Sequence, residues 1–178
     1  MRVRQGSGYV VQDIGRVGGL ELVPELASEE DGSLARMAAD LLRVRRALVG
    51  MALSEPRRPA AEGVARGVTR LRARIEAGAS CGELAEVEHE ILSALLSAAP
   101  TPVLSLSFNS VCFAVQAMPR LCDALYADLT ALVAFATAVQ RCIEAPSPEA
   151  AAAALSALDA RDGTVLLHLA VQPVGQPA

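Results

Sequence analysis

Lysine and tryptophan are absent from this 178-residue sequence, and histidine occurs only twice, at His89 and His168. None of the four cysteines, Cys81, Cys112, Cys122 and Cys142, belongs to a CxxC pair or stands at zinc-finger distance from a histidine. They are expected to be reduced, small apolar residues within helices. Aromatic residues make up 3% of the chain while apolar residues make up 52%, so its hydrophobic content is Ala, Leu and Val. That composition suits helices packed closely through small residues. Charged residues are 20%, too few for a disordered chain with this much aliphatic content. Every basic residue is Arg, and the net charge of −4 excludes a uniformly basic protein that coats nucleic acid.

Charge is also missing from the 29 residues Ile91 to Pro119. A membrane-spanning helix needs roughly 20 consecutive apolar residues. Here Pro100 and Pro102 interrupt the run, and Ser93, Ser97, Ser105, Ser107, Asn109, Ser110 and Gln116 are scattered through it. Two buried helices joined by a Pro-containing corner account for the pattern better than a membrane span. The N-terminus MRVRQGSGYVV has no continuous apolar core of a signal peptide, so a cytoplasmic location is expected.

The chain divides by period. In residues 1–12, Val3, Tyr9, Val10 and Val11 flank Gly6-Ser7-Gly8, a β-hairpin pattern with a glycine-tolerant tip. Residues 13–32 carry Gly15, Gly18, Gly19, Pro24 and the acidic Glu29-Glu30-Asp31, and read as a linker with a short helical turn. From Ser33, expected as an N-cap, the period is helical. Leu34, Met37, Leu41, Val44, Leu48 and Met51 predict an apolar stripe, with Pro56 and Pro59 ending that helix. Val64, Val68, Leu71 and Ile75 mark the second helix, closed by Gly78, and Leu84, Val87, Ile91 and Leu95 mark the third. A fourth is expected over 102–118 and a fifth over 119–144. Ser147-Pro148-Glu149 opens the sixth, and Gly163 is expected to divide it from a last segment. The fold class is therefore all-α: an antiparallel bundle of six to seven helices over 33–171, preceded by a short N-terminal β-hairpin, with 172–178 a frayed tail.

Few residues carry candidate chemistry. Arg2 and Arg4 alternate along one strand beside the small residues Gly6, Ser7 and Gly8, the composition with which a winged-helix wing meets DNA phosphates and the minor groove. Arg45 lies roughly 70° from the centre of the Leu34–Met51 stripe, whereas Arg43 and Arg46 point nearly away. Its planar fork can reach into the bundle for a carboxylate or phosphate, or it can snorkel to water. Glu88 and Leu92 stand one turn apart, but Leu92 has no donor, and Glu88 and His89 diverge by about 100°, so metal binding is disfavoured. Glu88 is expected mainly on a solvated flank, with a polar role inside the bundle as the alternative. Asn109, inside the uncharged stretch, needs a backbone partner or a ligand if it is buried. No nucleophile elbow, paired catalytic carboxylates or Walker pattern is present, so an enzyme is the least expected class.

With these residues in view, the chain resembles the GntR family of bacterial transcription regulators, in its FadR-like branch. Arg4-Gln5-Gly6-Ser7-Gly8-Tyr9-Val10-Val11 is similar to the wing of that family's winged helix. Gly18-Gly19-Leu20 to Leu26 is similar to its linker, and Asp40-Leu41-Leu42-Arg43-Val44-Arg45-Arg46-Ala47-Leu48 to the first helix of its effector domain. Glu86 to Leu104, with Ala98-Ala99-Pro100-Thr101-Pro102-Val103-Leu104 at its corner, resembles that domain's middle. The chain opens at the wing's first strand, so the resemblance implies DNA contact through Arg2, Arg4, Gly6, Ser7 and Gly8 only where a helix-turn-helix precedes it.

Many members of the branch bind metal through one Asp and three His. The matching positions here are Glu88, Leu92, Ala136 and Leu158, which implies the metal-free subgroup and no other cofactor. The resemblance further implies a homodimer that takes a small acidic effector, an organic acid or acyl thioester, against Arg45, with Glu88 and Asn109 beside it. The alternative is a helical dimerisation protein that does not sense, its core filled by its own side chains. In a sensor, Arg45→Ala is expected to abolish ligand stabilisation with little loss of fold.

Overall fold

The structure, a computed structural model, describes the backbone of residues 2–3 and 9–10, and residues 19–27, 33–54, 59–97 and 102–171. Among these, eight α-helices follow one another. Helix α1, Val23–Ala27, is entered through a 3-10 turn at Leu20–Leu22; then come α2 Ser33–Ser54, α3 Pro59–Glu76 and α4 Cys81–Ser97. The second half is α5 Val103–Gln116, α6 Pro119–Tyr126, α7 Leu129–Glu144 and α8 Pro148–Val171. Ahead of them Arg2–Val3 and Tyr9–Val10 pair antiparallel, Arg2 opposite Val10 and Val3 opposite Tyr9. Arg4, Gly6, Ser7 and Gly8 of the expected wing, most of the expected linker, the corner 98–101 and the tail 172–178 lie outside the described residues. The chain is all-α over its described bulk, as composition and period predict.

Several helix ends follow from local chemistry. Gly78 has φ +71°, the left-handed conformation that glycine adopts without a Cβ penalty. The Ala79 N–H returns to the Arg74 carbonyl and the Gly78 N–H to that of Ile75, both at 3.0 Å, closing α3 in a Schellman arrangement. At the start of α8, Ser147 Oγ accepts from the Ala150 N–H at 3.1 Å, and Pro148 fills the first helical position. The Ser33 hydroxyl donates to the Ala27 carbonyl at 3.3 Å and ties α1 to the entry of α2.

The tightest seam is α3 against α4. A Cβ placed on Gly63 would lie 2.8 Å from Ala94 Cβ, and one on Gly67 only 2.5 Å from Ile91 Cγ1. These two glycines stand one turn apart and let the helices approach closely over the stripe of Val64, Val68 and Leu71. The Arg side chains of α3 stay outside: Arg66 pairs with Glu62, Arg70 with Glu90 and Arg74 with Glu83. On α4 the predicted stripe of Leu84, Val87, Ile91 and Leu95 is buried throughout.

Three expectations are corrected. Residues 119–144 form two helices, because Asp128 caps a new one: its Oδ1 accepts from the Ala131 N–H at 2.9 Å. Gly163 does not divide α8, since Ala154, Leu158, Val165 and Leu169 keep one buried face in register through it. The buried face of α2 is rotated from the predicted stripe. Val44 and Met51 are 43% and 54% exposed, whereas Ala38, Leu42, Arg45, Val49 and Ala52 are buried. Small residues let neighbouring helices settle closer on that side, and Arg45 can sit there because it meets charged partners. No single helix among the described residues is long and apolar enough to cross a membrane; α6 and α7 pass by length and composition only when taken together, and they meet at 76°.

Candidate functional site

Charged side chains from three helices converge at the centre of the bundle. Arg45 of α2, Glu88 of α4, and Arg161 and Asp162 of α8 are 4%, 4%, 1% and 7% exposed. Arg161 presents its fork to Glu88: Nη1 donates to Oε1 at 2.5 Å and Nη2 to Oε2 at 3.1 Å. The same guanidinium donates through Nε and Nη2 to the Leu125 carbonyl at 3.3 and 3.0 Å. That carbonyl belongs to the last turn of α6, where helix geometry leaves acceptors without an internal partner. The break at Asp128 is thus what creates the acceptor that Arg161 fills, and the cation also suits the negative end of the α6 dipole.

Tyr126 completes this half of the cluster. Its hydroxyl donates to Glu88 Oε2 at 2.7 Å, and its ring centroid lies 5.3 Å from Arg161 Cζ. On the other side, Arg45 Nη2 donates to Asp162 Oδ1, and Arg45 Nη1 lies 3.8 Å from Glu88 Oε1. The two guanidinium groups and two ionised carboxylates sum to zero charge, the condition under which such groups can be buried together.

Protonation follows from this arrangement. Burial alone would push the Glu88 carboxyl up, but Arg161 and Arg45, with the hydrogen bonds from Arg161 and Tyr126, outweigh it and hold Glu88 down at about 2. Burial likewise works against the Arg161 cation, and Glu88 more than restores it. At Asp162 burial wins over Arg45 and Arg161, so that carboxyl is raised. Burial pushes the Cys112 thiol up to about 12 and Tyr126 well above its ordinary value, so both are neutral near pH 7.

A cavity of about 20 Å³ lies beside the cluster, with room for roughly one water-sized group. Its walls are Arg45, Ala85, Glu88, His89, Leu92 and Tyr126, together with Phe108, Val111, Cys112, Val115 and Gln116 of α5. His89 stacks on Phe108, with centroids 5.8 Å apart and planes at 13°, and its Nε2 lies 3.3 Å from Ser93 Oγ. Two of these residues carry a buried nitrogen without a hydrogen-bond partner among the described residues: Arg45 Nε and His89 Nδ1.

Of the residues singled out from sequence, Arg45 and Glu88 come together here. The expectation of a mainly solvated flank for Glu88 is corrected, since the carboxylate is held by two Arg and a Tyr in the interior. Asn109 is exposed on α5 and does not line this cavity, so it carries no burial cost to be relieved by a ligand. Arg2 has only its backbone described, and Arg4, Gly6, Ser7 and Gly8 lie outside the described residues. Glu88, Leu92, Ala136 and Leu158, the positions that the resemblance would align with a metal set, are all buried, and of the four only Glu88 has a side-chain donor atom for a metal. Among the described residues, no three His, Cys, Asp or Glu side chains converge to hold a metal.

Sequence reading missed Arg161, Asp162, Tyr126 and His89 as members of the site. A signal for the first two was present: they fall between Leu158 and Val165 on the apolar stripe of α8, a charged pair where a solvated face would not place it. The assumed division at Gly163 hid that continuity. Compared with protein-family models, curated proteins and solved structures, the chain matches none of them.

Proposed function

We propose that this chain is the effector-binding and dimerisation domain of a GntR-like regulator of the FadR branch, taking a small acidic effector, such as an organic acid or acyl thioester, at Arg45 without metal. One observation carries the reading: a buried Arg whose Nε–H is unpartnered stands in the wall of a cavity at the bundle centre. An effector that accepts from this donor gains a hydrogen bond the unliganded core does not make, and so shifts the population toward whichever packing admits it. In a dimer that shift would alter the spacing of DNA-binding heads carried by the wing's domain. Leu92, Ala136 and Leu158 offer no ligand atoms at the family's metal positions, so the reading needs no metal.

A second reading has its own support. The cavity is only about 20 Å³ and Arg45 is already paired with Asp162, as expected of a dimerisation bundle filled by its own side chains. The test must respect that pairing. Arg45→Ala alone strands Asp162 in the interior, so the expectation of little loss of fold no longer holds. The paired variant Arg45→Met with Asp162→Leu removes one charge of each sign and keeps the centre neutral. A sensor gains melting temperature with at least one member of a broad panel of organic acids and acyl thioesters, and the folded pair variant loses that gain. No stabilising member across the panel rules out sensing and leaves the self-filled bundle.

A further inference from the structure

Helix α5 differs from its neighbours in what it shows to solvent. Val103, Leu106 and Phe113 are 62%, 63% and 60% exposed, and Ser110 and Ala117 are exposed along the same line. At about 100° per residue these five positions fall within roughly 80° of one another, on the side away from the buried Phe108, Val111 and Val115. They are separated by three, four, three and four residues, the spacing of a helix–helix seam. Each of the other seven helices carries at least one charged residue, whereas α5 carries none. Of the seven large apolar residues exposed among the described residues, six stand on α5 or on α1 and α2, which pack against it; Leu26, Val44 and Met51 join the three above. Leu167 on α8 stands apart. A single exposed hydrophobic residue needs no explanation, but a grouped, charge-free set marks an interaction face.

We infer that this face binds a second copy of the chain, the two α5 helices crossing antiparallel about a two-fold axis at Ser110. The stripe is its own complement. Ser110 is small and central, Leu106 and Phe113 flank it, and Val103 and Ala117 lie toward the ends. Reversing one copy brings Leu106 against Phe113 of the second copy and Val103 against Ala117 of the second copy, the reciprocal pairing of an isologous interface. Ser110 meets its own counterpart, and two small side chains there let the backbones approach. Its hydroxyl already donates to the Leu106 carbonyl at 3.3 Å, so covering it strands no donor. Charge favours the same occupant. The chain carries a net −4, so two copies repel, and α5 is the helix that adds nothing to that repulsion. Its exposed face is about 20 Å long, smaller than the roughly 800 Å² per partner of a standard interface, so the dimer is expected to exchange readily with monomer. This inference rests on the dimerisation half of the proposed function, names the face that serves it, and does not depend on an effector at Arg45.

Light scattering of the full chain at rising concentration, joined to a cross-link, tests this. The wild-type mass should climb from 18.5 kDa toward twice that value. Phe113→Glu puts a carboxylate from each copy into the pairing and is expected to weaken association about tenfold or more, with helical circular dichroism unchanged because Phe113 lies outside the core. The same exchange at Leu167 on α8 should leave association as it is. Ser110→Cys, treated with oxidised glutathione, should give a covalent dimer on a non-reducing gel where the wild type gives none, each inter-chain disulfide converting one glutathione disulfide to two thiols. A disulfide needs Cα atoms within about 7 Å, so this cross-link reports the crossing at that residue. Should Phe113→Glu unfold, the cross-link still decides the outcome. A wild-type dimer that survives Phe113→Glu and yields no Ser110→Cys cross-link overturns this face and leaves dimerisation standing. A wild type that stays monomeric at every concentration overturns the face and the dimerisation reading together, and if Phe113→Glu then lowers the melting temperature, α5 is covered within its own chain. The effector panel judges sensing separately.

Discussion

Helix α4 belongs to two neighbourhoods built on opposite physics. Toward α3 it presents Ile91 and Ala94 to Gly63 and Gly67, a dry seam in which helix separation is set by missing side chains. Toward α2, α6 and α8 it presents Glu88, held by Arg161, Arg45 and Tyr126. The first gains from every atom in contact and needs no exact partner chemistry. The second repays the desolvation of four charges only while all four remain in place. One helix can therefore be robust along one face and conditional along the other. A site that responds to a ligand is expected on the conditional face.

The largest expected effect comes from breaking the conditional face. Arg161→Met leaves Glu88 facing Arg45 without its bidentate partner and frees the Leu125 carbonyl, and unfolding in urea should show a loss of about 3–5 kcal/mol. Adding Glu88→Leu to that variant should recover much of the loss, since a hydrophobic pair of similar volume replaces a buried ion pair at little or no cost. Failure to recover would show that the charges also position the fold.

An intermediate effect is expected with acid. Glu88 is held at about 2, below its ordinary 4.5, so its contribution is fully present above pH 4.5 and lost as pH falls toward 2. Between pH 5 and 2 the wild-type urea midpoint should fall further than that of Glu88→Gln, by a difference on the order of 3 kcal/mol in stability. Asp162, raised rather than lowered, takes up its proton more readily in the folded state and so does not add to the acid loss. Equal acid sensitivity in the two proteins would remove Glu88 as the source.

The smallest effect tests the robust face. Gly67→Ala forces a methyl to within 2.5 Å of Ile91 Cγ1, and the buried Ile91 must shift to admit it. A loss of about 1–3 kcal/mol is expected, read as a lowered melting temperature. An unchanged melting temperature would show that α3 and α4 can separate freely, and the contrast between the two faces would weaken.

Much of the robust face was legible in sequence. Val64, Val68 and Leu71 on α3, and Leu84, Val87, Ile91 and Leu95 on α4, repeat with the helical period, and burial at those positions follows directly. Gly78 and Ser147 announced their helix ends because end chemistry is local. The conditional face was half legible. The angle of Arg45 sets it apart on α2, but the buried face of that helix is not legible, because Val44 and Met51 form a larger apolar stripe than the small buried residues Ala38, Val49 and Ala52. Asn109 lies in an uncharged run, which by itself suggests burial, yet it is exposed.

The sequence by itself determined that this chain forms helices, roughly where most of them begin and end, and the main apolar stripes of α3 and α4, because propensity, capping and periodicity act within a few residues. Only the tertiary structure decided that α6 stops before Asp128 in a position where Leu125 meets Arg161, 36 residues onward. It alone joined Arg45 to Asp162 across a separation of 117 residues and set Glu88 between two guanidinium groups. Buried charges are tolerated only where opposite charges meet them, and no local pattern records which distant residue will do so.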